Sequence, residues 1–294
     1  MLRWKRALQA ALLAAVVRSH AAFAQAPPHG AQPAPQGAAP VAAPAAGAPE
    51  QAAERPPSPP RPIDLARAAR GKAVYARFCV SCHGARGDGR GSSARFLSPQ
   101  PRDFTRGIFK CRSTPNGTLP RDEDLLRTLR EGFAHTNMPP WAVLGERNLR
   151  DVVEHLKTFS PRWKEEGPGE AIPYAPEPPD DAASRSKGLA AWNAQGCFNC
   201  HGQTGQGDGP AVPTLYDDWG NHAVPFDFTS SPHRKCGDSD RDLYRTFLTG
   251  LGGTPMPSYA ETLSPEDAWH LVHFLKTLSA DETAQGLFHL ETGN

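Results

Sequence analysis

Two segments of the chain repeat apolar side chains at helical spacing. Leu149, Val152, Val153 and Leu156 fall on one face of a 3.6-residue period, and Ala268, Leu271, Val272 and Leu275 do the same further on. The pattern predicts a closing helix from Glu146 to Phe159 and another from Pro265 to Leu278. Ser264-Pro265-Glu266 gives the second an N-cap and a Pro at the first helical position, where its missing N–H costs nothing. Opening helices are expected from Leu65 to Phe78 and from Ser184 to Ala194, and shorter ones from Asp122 to Glu131 and from Asp240 to Thr249. No stretch of strand length alternates between apolar and polar, so the expected fold class is all-α.

These elements come in the same order twice, and the identities repeat with them. Asp124-Leu125-Leu126-Arg127-Thr128 matches Asp242-Leu243-Tyr244-Arg245-Thr246, and Leu156-Lys157-Thr158 matches Leu275-Lys276-Thr277. Cys79-Val80-Ser81-Cys82-His83 returns as Cys197-Phe198-Asn199-Cys200-His201, and Met138-Pro139 as Met256-Pro257, both displaced by 118 residues. After each pentapeptide comes a Gly-rich loop, 84–91 or 202–209, and then an extended Pro-containing stretch. From His83 to Asp103 is 20 positions but from His201 to Asp227 is 26, so the second copy carries an insertion around Pro213 to His222.

The ends differ from the repeats. Arg3, Lys5 and Arg6 precede an apolar run from Ala7 to Val17 and the small-x-small site Ala22-Phe23-Ala24, the pattern of a secretory leader. The Ala, Pro, Gln and Gly that follow cannot bury a core. The expected organisation is a leader at 1–24, a disordered tether at 25–62, a first domain at 63–162, a linker at 163–182, a second domain at 183–281 and a tail at 282–294. The leader holds four of the 32 Lys+Arg, which leaves 28 against 31 Asp+Glu, about −3 for the mature chain. That balance argues against nucleic acid as a partner. The apolar run of the leader is too short to span a bilayer, so no transmembrane helix is expected in the mature chain.

The pentapeptides carry the chemistry. Two thiols three residues apart can add to the two vinyl groups of a haem, and the His that follows supplies an imidazole to the iron. Two complete copies predict two covalently bound haem c groups, attached at Cys79 and Cys82 and at Cys197 and Cys200, with His83 and His201 as axial ligands. C-x-x-C alone also serves zinc sites and redox dithiols, but here the surroundings are duplicated too.

On these residues both halves resemble class I c-type cytochromes, and the chain resembles a tandem di-haem cytochrome c from about Pro62 to Asp281. The resemblance implies a Met ligand some way beyond the pentapeptide. The interval from His to Met is 55 residues in both halves, and Met138 and Met256 are the two methionines other than Met1. It also implies a crossing of first and last helices at Gly71 with Tyr75 and at Gly188 with Trp192. The carbonyls of Pro101 and Pro225 are expected to accept the imidazole protons, which would fix the tautomers. His135 is an alternative ligand in the first half. Cys111 and Cys236, outside the family pattern, remain after the haem thiols are assigned; a disulfide, two buried thiols and a thiolate on iron all stay open.

Six-coordinate irons would make the protein a periplasmic carrier of single electrons between periplasmic or membrane-bound redox proteins. A di-haem enzyme, either a peroxidase or a sulfur-compound dehydrogenase, would need an open or thiolate-bound iron. A haem subunit of a membrane oxidoreductase complex would share the carrier's chemistry and differ in its partners.

Overall fold

The computed structural model describes residues 59–230 and 233–278. The leader at 1–24, nearly all of the tether at 25–62 and the tail at 282–294 lie outside the described residues. The first half runs through α1 (Leu65–Phe78), α2 (Val80–His83), α3 (Asp122–Glu131), α4 (Glu146–Lys157) and α5 (Arg162–Glu165). The second runs through α6 (Ala182–Ala194), α7 (Phe198–His201), α8 (Asp240–Thr249) and α9 (Pro265–Lys276). Among the described residues no strand forms, only the isolated bridges Leu119–Pro168 and Tyr216–His222. The class is all-α.

Local chemistry sets the helix starts. Asp64 accepts from the backbone N of Arg67, Asp181 from Ser184, Ser239 from Asp242 and Ser264 from Asp267, each satisfying an otherwise orphaned N–H. Asp181 is why the opening helix of the second half begins at Ala182, two residues before the expected Ser184. The closing helices stop at Lys157 and Lys276, also two residues early. Phe159 and Leu278 turn back onto the Gly-rich loops, where a Cβ on Gly87 would meet the Phe159 ring at 2.6 Å and one on Gly205 would meet Leu278 at 2.7 Å.

Opening and closing helices cross in each half, α1 on α4 and α6 on α9. The crossing needs a residue without a side chain, because a Cβ on Gly71 would overlap the carbonyl of Asp151 and one on Gly188 that of His270. Tyr75 and Trp192 are each 2% exposed beside these contacts. Leu126, Leu149, Val152 and Val153 fill the first core, and Tyr244, Trp269, Leu271, Val272 and Leu275 the second. Burying each such side chain contributes roughly 1.5–3 kcal/mol before entropy is counted.

The segment expected as a linker at 163–182 is held along both halves. Trp163 belongs to the first core, and the amides of Gly169 and Ile172 donate to Leu119 O at 3.0 Å and Ser113 O at 2.8 Å. Ala175 O then accepts from Trp269 Nε1 at 2.9 Å in the second half. Cys111 and Cys236 form a disulfide across the halves, with Cα atoms 5.3 Å apart. Arg127 of α3 reaches Asp242 Oδ1 of α8 at 2.5 Å and the carbonyl of Cys236 at 2.6 Å. Arg112, 3% exposed, donates to Thr249 O at 2.5 Å.

Candidate haem sites

α1 hands over to α2 at Cys79, and that single turn carries Cys82 and His83. The second half repeats the arrangement with Cys197, Cys200 and His201 around α7. One helical turn brings the two thiols of each pair side by side and sets the imidazole next to them. Glycine is required directly afterwards. Gly84 and Gly202 have φ of 76° and 78°, and a Cβ on either would strike the side chain of Asp88 or Asp208.

Each imidazole is oriented by a backbone carbonyl. His83 Nδ1 lies 3.0 Å from Arg102 O, and His201 Nδ1 lies 3.1 Å from Phe226 O. The expected acceptors Pro101 and Pro225 are therefore one residue off. Their carbonyls face the Gly-rich loop instead, 2.6 Å and 2.9 Å from where a Cβ of Gly89 or Gly207 would stand. In a non-helical run successive carbonyls point to different sides, so the next one meets the ring. Burial holds both imidazoles below the ordinary histidine range, against the opposing effect of the carbonyl. They are neutral near pH 7, as a metal-ligating imidazole must be. Burial also pushes the thiols of Cys79 and Cys197 up to about 11. Phe104 stacks on His83 with ring centres 4.6 Å apart, and Phe228 lies 5.0 Å from His201.

The methionines sit on loops with one scaffold. The amide of Met138 donates to Thr136 Oγ1 at 3.1 Å, and that of Met256 to Thr254 Oγ1 at 3.3 Å. The carbonyl of Met138 accepts from Phe133 N at 3.0 Å, and that of Met256 from Leu251 N at 3.1 Å. Gly132 and Gly250, at φ of 69° and 64°, let each loop leave its helix where a Cβ would collide with the Met-Pro backbone.

In the first half Cys79, Cys82, His83 and Met138 line one cavity of about 370 Å³, walled by Phe104 and Trp141 among others. Two thiols, a neutral imidazole, a thioether and apolar walls are the donor set that a covalently attached haem takes. Arg102 Nη1 is buried at this cavity with no hydrogen-bond partner among the described residues, which suits the carboxylates such a group carries. Cys197, Cys200, His201 and Met256 form the same donor set in the second half, with Met256 and Phe198 against the second core. Among the described residues no group of three or more His, Cys, Asp and Glu is placed to hold a metal ion by itself, unlike the four-ligand set of a structural zinc site.

His135 does not line the cavity. Its φ is 56° and its Nε2 lies 2.8 Å from His233 O in the second half, so its ring serves the contact between halves. The disulfide leaves neither Cys111 nor Cys236 as a thiolate. Sequence reasoning missed Trp219, Asn221 and Lys235, second-half residues on the wall of the first cavity. The insertion and the shared Lys-Cys context of Cys111 and Cys236 were the signals for them. It also missed Ser184, whose Oγ lies 2.7 Å from His270 Nδ1 and 2.6 Å from His273 Nδ1 inside the second core.

Comparison with known proteins covers both halves. Residues 66–156 match the family model described as "Cytochrome C oxidase, cbb3-type, subunit III", and residues 186–279 match that of cytochrome c. No curated protein matches. Among solved structures, the chain is similar to one in the Kuenenia stuttgartiensis reducing HAO-like protein complex Kustc0457/Kustc0458. The two are 39% identical with a TM-score of 0.70, over 71% of this chain and 96% of that one. The duplicated sites and these likenesses agree: the chain belongs to the c-type cytochromes, as a tandem di-haem member with two covalently bound haem c groups that serve electron transfer.

Proposed function

We propose that the protein carries single electrons in the periplasm, between periplasmic or membrane-bound redox proteins. Cys79 and Cys82 would hold the first haem by thioethers, and His83 and Met138 would ligate its iron. Cys197, Cys200, His201 and Met256 would do the same for the second. The observation that carries this reading is the matched scaffolding of the two Met loops. A core-filling Met needs no particular backbone, whereas these two are held by the same Thr hydroxyl, the same amide and the same left-handed Gly. The haem supplies one-electron Fe(III)/Fe(II) chemistry. The chain holds the imidazoles neutral and aimed through Arg102 O and Phe226 O, and it offers a thioether that raises the potential relative to a second imidazole. Cys111 and Cys236 are bonded to each other, which favours the carrier over an enzyme with a thiolate-bound iron. Among the described residues no helix is long and apolar enough to cross a membrane.

The test is the intact mass of the denatured protein together with the far-red spectrum of the oxidised native protein. A mass gain of two haems and a Met-to-iron band that vanishes on reduction are expected. One haem, or a high-spin spectrum, overturns the reading.

A second reading has its own support. The similar chain comes from a structure described as a reducing HAO-like protein complex. By that likeness the protein serves as the electron-transfer subunit of a larger redox assembly. Native electrophoresis of a periplasmic extract with haem staining separates the two readings: a free carrier migrates alone, and a subunit migrates with its partner.

A further inference from the structure

We infer that the first haem is completed by the second half of the chain: Lys235 and the insertion bearing Trp219 join Arg102 and Lys110 in holding its two propionates. The inference rests on the di-haem reading above.

The first cavity is not built from the first half alone. Asp217, Trp219, Asn221 and Lys235 line it beside Arg102 and Lys110. Arg102, Lys110 and Lys235 therefore converge there, with the exposed Arg90 also on the lining. Neither Lys110 nor Lys235 forms an ion pair among the described residues, and Arg102 Nη1 has no hydrogen-bond partner among them. Asp88, Asp103 and Asp217 also line the cavity, and Asp217, Asp218 and Asp103 offset part of the Arg102 charge, but none forms an ion pair with these three cations. Asp103 accepts from Thr105 at 2.8 Å and 2.6 Å and from Trp219 Nε1 at 3.3 Å. Asp217 accepts from the amides of Trp219 at 3.0 Å and Asn221 at 2.8 Å, and from the Asn221 side chain. Asp88 takes Arg86 and the Arg90 amide.

Half-buried cations without an ion-pair partner are costly. Burial already draws Lys110 down to about 7. A haem joined through its vinyl groups to Cys79 and Cys82 presents its propionates on the other side of the macrocycle. That gives two carboxylates for Arg102, Lys110 and Lys235, none of which forms an ion pair among the described residues.

The site also ties ligand and interface together. The backbone carbonyl of Arg102 orients His83 at 3.0 Å, while its guanidinium lies 4.2 Å from the Trp219 ring centre and its Nη2 is 3.5 Å from Gly252 O. Gly253 is open for this contact: a Cβ there would meet Arg102 Nη1 at 2.8 Å. The corresponding carbonyl in the second half belongs to Phe226, which brings no charge. The two haems are thus unlike by construction. Ferric haem carries one more positive charge than ferrous haem, so nearby cations favour the ferrous form and raise the potential.

The experiment is a spectroelectrochemical titration of the full di-haem protein and of its Lys110→Met, Lys235→Met and Arg102→Gln variants, with Lys187→Met as an exposed control. Covalent haem is counted by intact mass in each. Lys235→Met, which lies in the other half, is expected to lower one midpoint potential and leave the second in place. The midpoint that moves should be the one that moves in Met138→Ala. Lys110→Met should move the same one, and Lys187→Met neither. If Arg102→Gln fails to mature, the two lysine variants still decide the matter. Two haems with both midpoints unchanged in Lys110→Met and Lys235→Met overturn this inference and leave the di-haem reading intact; a wild-type mass lacking one haem overturns that reading itself.

Discussion

A side chain on Gly71 would occupy space already held by the backbone carbonyl of Asp151, and Gly188 stands in the same relation to His270. Helix crossing in each half is therefore set by a contact between backbones. Because the clash is with a carbonyl rather than a flexible side chain, α1 and α4 must separate to relieve it. Gly71→Val and Gly188→Val are each expected to destabilise by about 3 kcal/mol or more, above the usual range for overpacked cores. Chemical unfolding of the haem-loaded variants measures this. A loss below about 1 kcal/mol would show that the helices separate freely.

The disulfide between Cys111 and Cys236 closes a loop of 125 residues. In the loop-entropy account such a bridge stabilises by roughly 4–5 kcal/mol. The double variant Cys111→Ser, Cys236→Ser is expected to lose most of that in denaturant unfolding. Its covalent haem count should stay at two, since neither sulfur belongs to an attachment pair.

Met138→Ala and Met256→Ala are each expected to lower one midpoint potential, and a different one in each variant. Loss of the thioether removes the ligand that favours the ferrous state. Intact mass should be unchanged apart from the substitution, because the thioethers to Cys79, Cys82, Cys197 and Cys200 are untouched. Potentiometric titration with intact-mass analysis checks both statements. An unaltered spectrum in Met138→Ala would point to another sixth ligand.

Acid should weaken the contact between the halves through Asp242. Burial alone would raise its pKa, but the Ser239 hydroxyl, Arg127 and Arg245 together hold it below its ordinary value of 3.8. A carboxylate depressed in the folded state contributes stability that is fully present above the unfolded value and is lost as pH falls through the folded one. The contribution is thus intact at neutral pH and declines below about 4. Asp242→Asn is expected to be less stable than wild type at pH 7 and to show a shallower loss below pH 4. Denaturant unfolding across that range compares the two slopes.

Much of the fold was legible in the chain because its signals are local. Leu149, Val152, Val153 and Leu156 repeat at helical period whatever they pack against, and Ser264-Pro265 caps a helix through its own neighbours. The pentapeptides were equally plain, since thiol, thiol and imidazole act within one helical turn. The interval from His to Met was informative because it occurs twice.

The acceptor for each imidazole was not legible. Which carbonyl of an extended run faces a ring depends on how that run lies against the Gly-rich loop, and Arg102 and Phe226 took the place expected of Pro101 and Pro225. Nor did the chain disclose that Lys235 and Trp219 belong to the first cavity, more than a hundred residues from Lys110 and Asp103. Local pattern determined the helices, the duplication and the haem donors. Tertiary structure decided which charges meet, because contacts between the halves depend on the direction in which two finished domains pack and leave no periodic trace in either.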